Sequence, residues 1–100
     1  MPLDTFPYDT ADYLRTKEDV VSYLEAAFED GDPALISHAL GDIARSEGMT
    51  EIAKATGLTR ASLYKALSVE GNPEFATVVK VIQALGLKLT VAAQEETQAA

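Results

Sequence analysis

Residues 49–67, MTEIAKATGLTRASLYKAL, leave few ways for this chain to fold. The stretch is too punctuated for one long helix and reads as two short ones, about 50–56 and 60–67, joined by a tight turn. Gly57 stands where such a turn demands a positive φ, and Ala53, four residues earlier, is small where the two helices must touch. Ile52, Leu58, Leu63 and Leu67 supply the apolar contacts that fix the crossing. Six positions constrained together predict a DNA-binding helix-turn-helix, with an ordinary helical hairpin as the alternative.

Polarity along the second helix favours the DNA reading. Thr59, Arg60, Ser62 and Lys65 are polar, whereas Leu63 and Leu67 face inward. Arg60 can bond a guanine in bidentate fashion, Thr59 or Ser62 can donate to a base or phosphate, and Lys65 can reach a base or backbone oxygen. Ala61 offers a methyl-sized surface to a thymine methyl. Asn72 opens the next helix, where it serves as an N-cap or meets a phosphate. Lys54 and Lys80 are flanking phosphate contacts or simply solvated charges, and Tyr64 packs at the domain edge.

The remaining sequence predicts a helical frame. Residues 1–15 form an arm that Phe6, Tyr8, Tyr13 and Leu14 could pin to a core, and Thr16 caps a helix over 17–30 with Val20, Leu24, Ala27 and Phe28 at helical spacing. Gly31 ends it. Asp32 and Pro33 start a helix over 33–47 whose buried stripe is Leu35, Ile36, Ala39, Leu40 and Ile43. Gly41 inside this helix costs about 1 kcal/mol relative to alanine, so either another backbone approaches it or the helix breaks there. Asn72 and Pro73 begin a helix over 73–85 that sets Phe75, Val78, Val79, Ile82 and Leu85 on one face. Leu87 to Val91 alternate with period two and predict a short strand at 87–91, which needs the arm or a second copy as its partner. Residues 93–100 read as a disordered tail. The fold class is all-α: five helices in a domain at 16–92, with an N-terminal arm and a C-terminal strand.

Charge is unevenly placed along this frame. The 100 residues carry net charge −8, from 16 acids against 8 bases. Residues 1–48 hold eleven of the acids and three bases and carry the whole deficit, whereas residues 49–92 have three acids and five bases. Such asymmetry indicates two surfaces with different partners, or acids that merely solubilise the first helices. A protein that coats nucleic acid through its overall field is excluded, so a polyanion must be met by a local patch. There is no cysteine, hence no disulfide, thiolate zinc site or thiol chemistry. No apolar run approaches the roughly 18 residues of a membrane span, and a cytoplasmic address is expected.

No catalytic constellation is visible. His38 is the one histidine, lies in mid-helix and has no triad spacing to a serine or aspartate. Neither a phosphate-binding glycine loop nor a metal-ligand spacing occurs, and Glu29, Asp30 and Asp32 at a helix end read as surface charge. The chain is expected to be no enzyme and to need no cofactor or metal.

The stretches GLTRASLYKALS (residues 57–68), GNPEFATVVK (71–80), ALGLKL (84–89) and YLEAAFEDGDP (23–33) resemble the addiction-module antidote family, HigA-like antitoxins with a lambda-repressor-type domain. The likeness covers roughly residues 8–91. It implies a lambda-repressor/Cro-like fold and an antitoxin that binds a small basic RelE/HigB-like toxin and represses its own operon. Arg60, Ala61, Ser62 and Lys65 would then form the DNA-reading face. On this reading the acidic half meets the toxin, through Glu18, Asp19, Glu25, Glu29 and Asp30 as charges and Tyr13 or Tyr23 as anchors, Phe28 being better suited to the core. A single reading helix covers few base pairs, so a homodimer on a palindromic operator at its own promoter is expected, joined through the strand or the outer side of residues 78–85. A stand-alone phage-type repressor and an interaction domain without DNA binding are the competing functions.

Overall fold

The computed structural model describes residues 16–94, which hold five α-helices and no strand. They are α1 (Lys17–Asp30), α2 (Pro33–Glu47), α3 (Met49–Thr56), α4 (Arg60–Ala66) and α5 (Phe75–Ala84). The predicted arm at 1–15, with Tyr13, and residues 95–100 of the predicted tail lie outside the described residues.

The first two helices start for local chemical reasons. Thr16 and Asp19 form a capping box: the Asp19 N–H donates to Thr16 Oγ1 at 3.0 Å and the Thr16 N–H to Asp19 Oδ2 at 3.1 Å. Asp32 accepts from the Ala34 N–H at 3.0 Å, and Pro33 occupies the first helical position, where no N–H is needed. Gly48 alone separates α2 from α3. Val20, Leu24 and Ala27 of α1 pack on the Ala39, Leu40, Ile43 and Ala44 side of α2. Met49, Ile52 and Ala53 of α3 join the same core, and α3 touches α2, α4 and α5, so it sits at the centre of the bundle. Leu63, Leu67, Val81, Ile82 and Leu85 complete the core. No helix among the described residues is long and apolar enough to cross a membrane.

Gly41 does not break α2. A Cβ built there would lie 2.2 Å from the carbonyl oxygen of Leu67, so of the two explanations open in the sequence the close backbone approach holds.

Several expectations need correction. The strand predicted at 87–91 is absent: the segment pairs with no other backbone among the described residues, and a lone strand has nothing to pair its N–H and C=O groups. Leu87 instead tucks against the core, its N–H donating to Ile82 O at 3.1 Å, while Leu89 and Val91 stay exposed. The last helix begins at Phe75, and Glu74 rather than Asn72 is its N-cap. Residues 71–74 are non-helical, as the extended bias of a residue before proline favours. Phe75 and Leu35 were expected inside, and Phe28 was expected in the core. They are 72%, 40% and 42% exposed. Phe75 and Leu35 occupy the first turns of their helices and Phe28 the last turn of α1, where periodicity assigns a side but does not require that a neighbour cover it.

Candidate nucleic-acid interface

The turn between α3 and α4 is built from Gly57, Leu58 and Thr59. Gly57 has φ 78°, and its N–H donates to the Ala53 and Lys54 carbonyls at 2.9 and 3.3 Å; the Leu58 N–H adds a bond to Ala53 O at 3.1 Å. A left-handed residue here satisfies the carbonyls that the end of α3 would leave open, and glycine takes that conformation without a Cβ penalty. Thr56 closes the same turn from inside, its hydroxyl donating to the Ile52 and Ala53 carbonyls. Ala53 and Thr56 are both buried at this joint.

Thr59 then caps α4. Its Oγ1 accepts from the Ser62 N–H at 3.0 Å and its hydroxyl donates to Ser62 Oγ at 2.9 Å. That pair leaves the Ser62 hydroxyl proton available at the surface. Leu63 is wholly buried and Leu67 nearly so, and these two anchor a seven-residue helix too short to persist alone. Arg60, Ala61, Ser62, Tyr64 and Lys65 of α4 are exposed, and Ala66 is half-buried. The Arg60 guanidinium lies 6.0 Å from the Tyr64 ring centroid, a cation–π contact that steadies it along the outer face.

Thus Thr59, Arg60, Ala61, Ser62 and Lys65 fall together on one short exposed segment. Lys54 is exposed in the last turn of α3, and Asn72 is exposed in the connection leading to α5.

The acidic half is divided differently. Glu18, Glu25, Glu29 and Asp30 are exposed along α1, as is Asp32 beyond it. Asp19 is engaged in its capping box, and Tyr23 donates its hydroxyl to Asp42 Oδ2 at 2.6 Å. Asp42 is a functionally silent charge in the sequence yet is 8% exposed in the structure. Its second oxygen accepts from Arg45, and His38 Nε2 stands 3.4 Å from the first, so this carboxylate ties α1 to α2. The spacing of His38, Asp42 and Arg45 at i, i+4 and i+7 was the legible sign of that cluster. His38 is thereby placed in a structural contact. No group of three or more histidine, aspartate or glutamate side chains could hold a metal ion among the described residues.

Comparison with known proteins bears on what these surfaces serve. A family model described as "Probable addiction module antidote protein" matches residues 4–93. The chain is also similar to an uncharacterized protein of Haemophilus influenzae, with 46% identity over 84 residues that cover 84% of this chain and 87% of that one. No solved structure matches it.

Proposed function

The chain belongs to the probable addiction module antidote family, and from that premise we propose that it is a HigA-like antitoxin that neutralises a RelE/HigB-like toxin and represses its own operon through a lambda-repressor-type helix-turn-helix. The observation that carries the DNA half of this reading is α4 itself, whose inward side is fully buried while Arg60, Ala61, Ser62 and Lys65 are presented outward together. A helix of this kind enters a major groove with its N-terminal residues against base edges. Thr59 holds that N-terminus rather than being spent on a base, and Lys54 and Asn72 supply flanking contacts to phosphate. Two copies on half-sites about 10 base pairs apart would read a palindrome.

Arg60→Ala should cost about 1–3 kcal/mol of operator affinity and relax discrimination at one base position. Fluorescence anisotropy on a panel of single-base operator variants reads this directly. An equal loss on every sequence would make Arg60 a phosphate contact instead.

The toxin half rests on the acids of α1. From Glu18 to Ala44 the chain has seven acids and no lysine or arginine, and Glu18, Glu25, Glu29 and Asp30 are all exposed. Such a face attracts and orients a basic partner. It also repels DNA, so a basic toxin that covers it should tighten operator binding, with an effect that shrinks as salt rises. Titrating toxin into the protein–operator complex at low and high salt tests this. Operator affinity that is unchanged or lowered at every ratio and salt would sink the coupling.

A further inference from the structure

Between Lys17 and Lys54 the chain carries nine acids and a single base, Arg45. The fold sets that base on the flank of α2 that meets the end of α4. α2 comes closest to the Leu67 carbonyl at Gly41, and Arg45 Nη1 lies beside the same spot, 3.3 Å from where a Gly41 Cβ would stand. An open groove of about 430 Å³ runs there between the two helices. Its walls are His38 and Arg45 from α2, Tyr64 from α4, and Ser68, Val69 and Glu70 from the connection that follows.

The guanidinium is anchored on one side and open on the other. Arg45 Nη2 donates to Asp42, a buried carboxylate that also accepts from the Tyr23 hydroxyl at 2.6 Å. An arginine has five N–H donors, so the bond to Asp42 leaves others to offer, and the Arg45 side chain is 41% exposed. Tyr64 links it to the reading helix: the same ring that lines the groove with Arg45 has the Arg60 guanidinium 6.0 Å from its centroid.

The width of a DNA groove decides what such a flank meets. A helix with its side chains is about 10–12 Å across and the major groove is about 12 Å wide, so a helix lying in it fills it, and the elements on its flanks stand against the phosphate walls. α2 is the element on the Tyr64 flank of α4. A guanidinium fork matches the oxygens of a phosphate. We propose that the groove between α2 and α4 receives a backbone phosphate of the bound DNA, with Arg45 as the cation that grips it. The site rests on the DNA reading of α4 and adds to it a contact from a different helix. Glu70 lines the same groove and opposes the phosphate, which holds the affinity of the site below what Arg45 alone would give.

Fluorescence anisotropy of the full-length chain on a labelled duplex from its own promoter, and on single-base variants of that duplex, tests the site between about 50 and 200 mM salt. Arg45→Gln should weaken binding about tenfold, by the same factor on every variant, and make the slope of log affinity against log salt shallower by about one. Arg45→Lys keeps the charge and should keep the wild-type slope. Glu70→Gln should tighten binding about threefold, the size of one exposed charge interaction and a gain that no loss of folding can imitate. Melts followed by circular dichroism set the folded fraction of each variant, which scales the affinity and leaves the salt slope alone. A wild-type slope in Arg45→Gln, a loss confined to particular base positions, a slope that falls equally in Arg45→Lys, or a Glu70→Gln variant that binds no tighter than wild type would each overturn the phosphate site while the reading of α4 stands. A wild type that forms no specific complex at low salt would overturn that reading and the phosphate site with it.

Discussion

Gly41→Ala is expected to destabilise the protein, although helix propensity alone predicts a gain of about 1 kcal/mol for the same change. The added Cβ would stand 2.2 Å from Leu67 O and 3.3 Å from Leu67 C, so one backbone must move away from another. A flexible side chain could swing aside, but a carbonyl at the C-cap of α4 cannot. The cost of such overpacking is about 1–3 kcal/mol. For a domain of this size that lowers Tm by about 4–8 °C per kcal/mol. Because Leu67 caps α4, the displacement is passed to the helix that carries Arg60, Ser62 and Lys65, and operator binding should fall further than the unfolded fraction explains. Thermal melts followed by circular dichroism, with anisotropy well below the transition, separate the two effects. A Tm equal to or above that of wild type would mean that α2 and α4 part without cost.

Gly41 also shows where sequence reading stops. The anomaly of a glycine inside a helix was visible, but its cause was Leu67, 26 positions away, and no local pattern names a partner at that distance. Gly57 was legible because its requirement is local: a positive φ that closes a turn four residues after Ala53. The same distinction separates the two proposed surfaces. Leu63 and Leu67 define the inner side of α4 by spacing alone, which leaves Arg60, Ala61, Ser62 and Lys65 outward by elimination. On α1, by contrast, Tyr23 and Asp19 looked as available as Glu25 and Glu29 until the structure joined Tyr23 to Asp42 and Asp19 to Thr16. Phe75 was placed on the side of α5 that holds Ile82, seven residues on, and helical phase supports that. Periodicity gives the side of a helix and says nothing of where its neighbour ends, so the exposure of Phe75 was beyond its reach.

Leu63→Ala should have the largest effect of any single truncation in the reading unit, about 2–5 kcal/mol. Leu63 is fully excluded from solvent and lies at the middle of α4, four residues before Leu67. Whole domains of this length are stable by only about 5–15 kcal/mol, so the loss is a large share of the total. The consequence for function comes from the length of the helix. Seven residues do not hold helical geometry without tertiary contacts, so a cavity beneath α4 releases the face that carries Arg60 and Ser62 while leaving every outward side chain chemically intact. Operator affinity is therefore expected to drop although no group proposed to meet DNA has changed. Leu63→Met, which nearly conserves volume, should cost less than about 1.5 kcal/mol and retain most of the affinity. Urea titrations of both variants alongside operator anisotropy make the comparison. Wild-type stability in Leu63→Ala would mean that α4 is held by its Thr59 cap and its connections, and the claim that the core positions the reading helix would have to be abandoned.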